Sequence, residues 1–232
     1  MDRIRILIVD DDPGIVEFLR ETLQEEGWDT AIASNGYEAL TAIRNNSFDL
    51  VILDLMLPGI DGFEVCERVR EFSTVPIVAL SGLKSETDKV RCLELGADEY
   101  VDKPVGALEL TARIKALMRR IQQGNIVKKY PAFYDGHLHI DFETHRVTLD
   151  FTKVPLTKTE YTLLCELVHN AGKSITYREL LQNVWGSEYR DETQYVHVYI
   201  RRLRNKIESD PNNPRYILNE HGVGYQFTTP TN

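Results

Sequence analysis

Residues 50–54, Leu50-Val51-Ile52-Leu53-Asp54, set four consecutive apolar side chains in front of a carboxylate. A run this short, with no alternation, reads as a strand covered on both faces. Doubly covered strands belong to parallel sheets, whose crossovers are usually helices. Outward from the run, strand-like segments Ile4 to Val9, Asp29 to Ala33, Ile77 to Leu80 and Glu99 to Val101 alternate with amphipathic patterns. Those patterns fall at about Pro13 to Glu26, Gly36 to Asn45, Gly62 to Glu71, Ser85 to Leu95 and Val105 to Ile121. Residues 1–121 are thus predicted to form a doubly wound, three-layer α/β domain with a five-stranded parallel sheet.

Beyond it, residues 122–132 lose both periodicities and end beside a proline, which predicts a linker. The remainder, 133–232, is predicted to be a separate α+β domain. Residues 133–155 alternate with a period of two (Leu138, Ile140, Phe142; Val147, Leu149, Phe151), as in a short antiparallel sheet. A helix over Lys158 to Asn170 has Thr157 and Glu160 spaced as a capping box, with Gly172 past its end. Tyr177 to Val184 and about Glu192 to Glu208 are further helices, and Tyr216 to Asn219 and Tyr225 to Thr228 flank Gly222 and Gly224 as a hairpin.

The 232 residues carry a formal net charge of -9. The first 120 hold 14 basic against 23 acidic residues, and the rest 13 against 13, so all the excess acid lies in the first half. In the neutral half, Arg190, Arg201, Arg202, Arg204 and Lys206 cluster on or near one helix, which suits phosphate contacts despite the balance. No apolar run reaches the ~20 residues of a membrane span, and Met1 to Arg5 leads straight into a strand, so a soluble, cytoplasmic protein with no membrane partner is expected. Cys66, Cys92 and Cys165 sit in apolar helical patterns and read as core residues.

Open parallel sheets bind ligands beyond the carboxyl ends of their strands. There this sequence places Asp10 and Asp11 after the first strand, Asp54 after the third, Ser81 after the fourth and Lys103 just past the fifth. Three converging carboxylates repel one another unless a hard cation shares them, and Mg²⁺ suits an all-oxygen donor set. A carboxylate so placed can attack a phosphoryl group, with Lys103 and the Ser81 hydroxyl holding its oxygens. Asp12, followed by Pro13, reads more simply as a helix N-cap. His137, His139 and His145 lack cysteine or paired acidic partners, and no zinc site is expected.

The segments Ile8-Val9-Asp10-Asp11-Asp12, Leu53-Asp54-Leu55-Met56-Leu57-Pro58-Gly59, Ala79-Leu80-Ser81-Gly82 and Tyr100-Val101-Asp102-Lys103-Pro104 resemble the signatures of response-regulator receivers, a flavodoxin-like fold. The resemblance implies Asp54 as phosphoacceptor, Asp10 and Asp11 as the acidic pair, and Asp11, Asp54 and the Met56 carbonyl as Mg²⁺ ligands. It implies Ser81 and Tyr100 as a switch pair, a cis Lys103–Pro104 bond, and Met56 and Leu83 flanking the path of a hydrolytic water. A phosphorylation-dependent dimer through the fourth helix, fifth strand and fifth helix is also implied. Its charges are suited to pair Lys89 with Glu109, and Asp98 or Asp102 with Arg113, Arg119 or Arg120. Val105 and Gly106 depart from the usual Phe and polar residue, which puts the packing of that face in doubt.

On the 192–208 helix Val196, Val198, Ile200, Leu203 and Ile207 are apolar, while Gln194, Tyr195, Tyr199, Arg201, Arg202 and Arg204 supply polar and cationic reach. Thr157-Lys158-Thr159-Glu160, Val184-Trp185-Gly186, Ile200-Arg201-Arg202-Leu203-Arg204 and Gly222-Val223-Gly224-Tyr225 resemble the winged helix-turn-helix output domain of the OmpR/PhoB family. That implies a four-stranded sheet before the helices, a DNA-reading 192–208 helix, and a wing contacting DNA through His221. His197 and Tyr199 depart from the usual Asp and His, and His221 stands where Arg is common. Implied partners are a sensor histidine kinase, promoter DNA with direct-repeat half-sites and a second copy of the chain, with RNA polymerase a further candidate. A haloacid-dehalogenase-type phosphatase would share a strand-end Asp, Mg²⁺, Ser and Lys, but its nucleophile follows the first strand and it leaves the second domain unexplained. In a second rival reading, a DNA-binding protein independent of phosphorylation, the first domain serves only dimerisation. The full set of Asp10, Asp11, Asp54, Ser81 and Lys103 argues against that reading, and a non-enzymatic regulator is expected.

Overall fold

Every residue of Leu50–Asp54 is buried, which is what a strand at the centre of a covered sheet requires. The computed structural model describes residues 3–83, 85–123, 132–186, 189 and 192–229, and these divide into two compact units, Met1–Leu117 and Met118–Asn232. In the first, β1 (Arg5–Val9), β2 (Asp29–Ala33), β3 (Leu50–Asp54), β4 (Ile77–Ser81) and β5 (Glu99–Asp102) form a parallel sheet of order β2-β1-β3-β4-β5. The helices are α1 (Pro13–Glu25), α2 (Gly36–Asn45), α3 (Gly62–Arg70), α4 (Glu86–Leu95) and α5 (Ala107–Gln123). Strand order reverses between β1 and β3, so a crevice opens where these two strands end, at Asp10 and Asp54. Asp12 caps α1 as expected, accepting from the Gly14 and Ile15 amides at 2.7 and 3.3 Å. The Lys103–Pro104 peptide is cis.

The second unit takes in the end of α5 and then the antiparallel sheet β6 (Ala132–Tyr134), β7 (Leu138–Asp141), β8 (Arg146–Leu149) and β9 (Thr152–Lys153). Helix α6 (Lys158–His169) starts from the expected capping box of Thr157 and Glu160. Strand β10 (Ser174–Thr176), not foreseen, precedes α7 (Tyr177–Leu180), which runs into a π-helical turn at Leu181–Trp185. Then come α8 (Thr193–Ile207), β11 (Ile217–Glu220) and β12 (Gly224–Phe227). β12 pairs with both β11 and β10, so the expected hairpin is part of a three-stranded sheet. Arg190 and most of the expected linker, residues 124–131, lie outside the described residues. All three cysteines are free and buried. Among the described residues, no helix is long and apolar enough to cross a membrane.

Candidate phosphoacceptor site and DNA-reading helix

Asp10 stands one residue past β1, Asp11 follows it, and Asp54 ends β3. One carboxylate oxygen from each lies within 4.8 Å of the others. Asp10 and Asp54 are buried and Asp11 is exposed. Lys103 reaches in from past β5, with its ammonium 2.7 Å from Asp10 Oδ2 and 2.9 Å from Asp54 Oδ2. The other oxygens of the buried pair accept backbone amides: Asp12 N–H on Asp10 at 2.9 Å and Met56 N–H on Asp54 at 3.1 Å. Both carboxylates are therefore fixed in orientation.

Burial raises the Asp10 pKa, with the Lys103 bond offsetting part of the effect. For Lys103, burial pulls downward, but the two carboxylates outweigh it and the ammonium's pKa is raised overall. The all-oxygen donor set of three carboxylates at an exposed edge fits a hard divalent cation.

Ser81 ends β4 beside β3, one residue past Leu80, the neighbour of Asp54 in the register. Its hydroxyl accepts the Leu83 N–H at 3.0 Å. Tyr100 is buried, and its hydroxyl donates to the Leu83 carbonyl, so both side chains converge on the segment after β4.

The expected dimer charges divide. Lys89 is half-buried, and Asp102, Glu109 and Arg119 are exposed. Arg113 bonds within its own domain to Glu99 at 3.3 Å and Glu109 at 3.1 Å. The expectation for Asp98 and Arg120 is corrected. Asp98 is 1% exposed and holds Arg70 at 2.9 Å and the Ile77 amide at 3.0 Å, while Arg120 is 4% exposed. Neither side chain is presented to a partner.

On α8 the expected reading face is also corrected: Tyr195, Tyr199 and Arg202 are buried. Tyr195 and Tyr199 pack edge-on to Trp185, with ring centroids 6.1 and 5.2 Å away, and Tyr189 lies 5.7 Å from Tyr195. Arg202 forms an ion pair with Glu160 at 2.8 Å and lies over the Tyr199 ring. Arg204, half-buried, donates to the Ile217 carbonyl at 3.1 and 2.6 Å, anchoring β11. His197, Arg201 and Asn205 are exposed and Gln194 half-buried, a stripe at helical spacing on the opposite side. His197 and Asn205 were not expected on this exposed stripe. The signal was available, because 195, 199 and 202 sit beside the apolar 196, 200 and 203 on a helical wheel. His221 is exposed in the turn between β11 and β12.

The geometry defines a class: a parallel-sheet domain with a strand-end aspartate site, joined to a winged-helix domain. Residues 6–115 match the response regulator receiver domain family, and residues 152–227 match the family described as transcriptional regulatory protein, C terminal. The chain is similar to the DNA-binding response regulator MtrA of Mycolicibacterium smegmatis, at 43% identity over 98% of both chains. It is similar to the sensory transduction protein RegX3 of Mycobacterium bovis, at 38% identity over 96% of this chain and 98% of that one. Among solved structures, a RitR mutant shares 31% identity with a TM-score of 0.81, covering 97% of this chain and 98% of that one. DrrB, a Thermotoga maritima OmpR/PhoB homologue, shares 33% with a TM-score of 0.52, covering 98% of this chain and all of that one. The chain belongs to the OmpR/PhoB-type DNA-binding response regulators of two-component systems.

Proposed function

We propose that Asp54 takes a phosphoryl group from the phosphohistidine of a sensor kinase, and that the acyl phosphate drives dimerisation and promoter binding. The observation that carries this is the Lys103 ammonium bridging Asp10 and Asp54 at the sheet's switch point. The N–P bond breaks as a bond forms from an Asp54 carboxylate oxygen to phosphorus, and the imidazole nitrogen keeps the electron pair. Mg²⁺, held by Asp10, Asp11 and Asp54 with the Met56 carbonyl, would supply positive charge to the transferring phosphoryl oxygens. Lys103 adds a second positive charge, and the Met56 amide fixes the Asp54 carboxylate. Ser81 turns its hydroxyl to a phosphoryl oxygen, and Tyr100 couples that movement to α4, β5 and α5.

On that face, exposed Leu108 supplies apolar contact, while Lys89, Asp102, Glu109 and Arg119 set register. The dimer then reads direct-repeat half-sites through Gln194 and Arg201, with His221 on the wing, and RNA polymerase is the downstream partner. The protein acts in the cytoplasm. Mass spectrometry after incubation with acetyl phosphate and Mg²⁺ tests the reading: one phosphoryl adduct is expected on the wild type, none on Asp54→Ala and none after chelation by EDTA. An equal adduct on Asp54→Ala overturns it.

A slow self-dephosphorylation is predicted as well. Met56, 61% exposed, and Leu83, half-buried, are apolar and cannot orient a hydrolytic water. The phosphorylated form should outlast that of Met56→Asn severalfold when its decay is followed on phosphate-affinity gels. Equal lifetimes would refute the assignment.

A further inference from the structure

The first half of α8 carries a group tied down by a neighbouring strand. His197 is exposed, yet its Nδ1 lies 2.9 Å from the Tyr225 hydroxyl on β12, and its ring packs on Tyr177 at 5.0 Å between centroids. Tyr177 meets Tyr225 edge-on at 5.7 Å, so the imidazole is held by two rings from two elements. Partial burial pushes the His197 pKa below its ordinary value, which favours the neutral ring. A neutral imidazole carries one proton, and its two nitrogens take opposite roles. A phenol donates more readily than it accepts, so the Tyr225 O–H donates to Nδ1 and the ring proton sits on Nε2.

We propose that His197 reads a guanine in the major groove through Nε2–H, with Tyr225 as the residue that sets its tautomer; this rests on the DNA-binding reading above. A fixed donor with no acceptor beside it selects among base edges by simple complementarity. Guanine presents two adjacent acceptors, O6 and N7, while adenine sets an N6 donor beside N7 and cytosine offers an N4 donor. Helix-turn-helix recognition helices contact base edges mainly through their N-terminal residues. His197 stands at the fifth position of α8, between Gln194 and Arg201 on one stripe. Arg204, by contrast, spends its guanidinium on the Ile217 carbonyl.

The test is binding-site selection from randomised duplex DNA with the full chain, read by sequencing, for wild type, His197→Ala, His197→Gln and Tyr225→Phe. Wild type should enrich guanine at one position of each half-site. His197→Ala should lower that preference by roughly tenfold and leave the other positions unchanged. His197→Gln, of similar reach but with a donor and an acceptor side by side, should shift the same position toward adenine. Tyr225→Phe keeps the ring contacts and frees the tautomer, so it should weaken the guanine preference there by a smaller factor. If His197→Ala keeps every preference, or loses all positions equally, the proposal is overturned. If wild type enriches no sequence, the DNA-binding reading fails first and carries this one with it. Circular dichroism melts matching wild type are required of each variant, and His197→Gln still decides the question if His197→Ala misfolds.

Discussion

Glu160→Ala is expected to cost the output domain about 3–5 kcal/mol, the usual penalty for removing one partner of a buried ion pair. Glu160 is 0% exposed and joins two helices. One carboxylate oxygen forms an ion pair with Arg202 Nε at 2.8 Å, and the other accepts hydrogen bonds from Lys206 Nζ and the Thr157 amide, both at 2.7 Å. Without it Arg202, buried on the inner side of α8, loses this carboxylate, and the first turn of α6 loses half of its capping box. Hydrogen exchange with peptide-resolved mass spectrometry should show protection falling throughout α6 and α8 while the receiver sheet keeps its own. A change under about 1 kcal/mol would mean that Arg202 and Lys206 find other acceptors at little cost.

The same residue gives a signed pH dependence. Burial raises the Glu160 pKa, but Arg202, Lys206 and the Thr157 amide outweigh it, and the folded value lies below the ordinary one. A depressed carboxylate pKa adds stability that is fully present above the unfolded value, about 4.3, and is lost as pH falls through the folded value. The wild-type output domain should therefore lose protection below about pH 4, and Glu160→Gln should flatten that limb.

Local rules made the receiver legible. A continuous apolar run specifies a covered strand whatever lies around it, and an Asp before a Pro specifies a cap from three neighbouring residues. The capping box of α6 is equally local, but its energetic weight is not, since Arg202 and Lys206 come from a helix more than 40 residues away. Tyr195 and Tyr199 were misassigned because a hydroxyl tip reads as polar in a sequence, while ring packing on Trp185 decides where the side chain goes. Asp98 failed for a related reason: an acidic residue next to a strand reads as exposed until Arg70, 28 positions earlier, is seen to cover it. Strand β10 has three residues, and its pairing with β12 spans some 50 positions, so no window of local periodicity contains the signal.

Gly62→Ala is expected to destabilise the receiver and to slow phosphorylation together, against the sign that helix propensity alone would give. Gly62 is the first residue of α3, and alanine in a helix is ordinarily better than glycine by roughly 0.5–1 kcal/mol. The packing says otherwise. A methyl group there would collide with the Asp54 carbonyl oxygen and lie 2.6 Å from Leu55 Cα, both of them backbone. The Gly62 amide also donates to the Leu55 carbonyl at 3.1 Å, so α3 and the end of β3 are already tied together and cannot part without losing that bond. Overpacking of this kind costs about 1–3 kcal/mol, which exceeds the propensity gain. What must move is the backbone that carries Asp54, and a displacement near 1 Å at a reacting group lowers a rate by up to about a hundredfold. Gly106→Ala is the control, because a Cβ there meets nothing within 4 Å. Urea denaturation and the rate of labelling by acetyl phosphate would both be measured. If Gly62→Ala melts and labels as Gly106→Ala does, the close approach of α3 to the end of β3 does not position the phosphoacceptor.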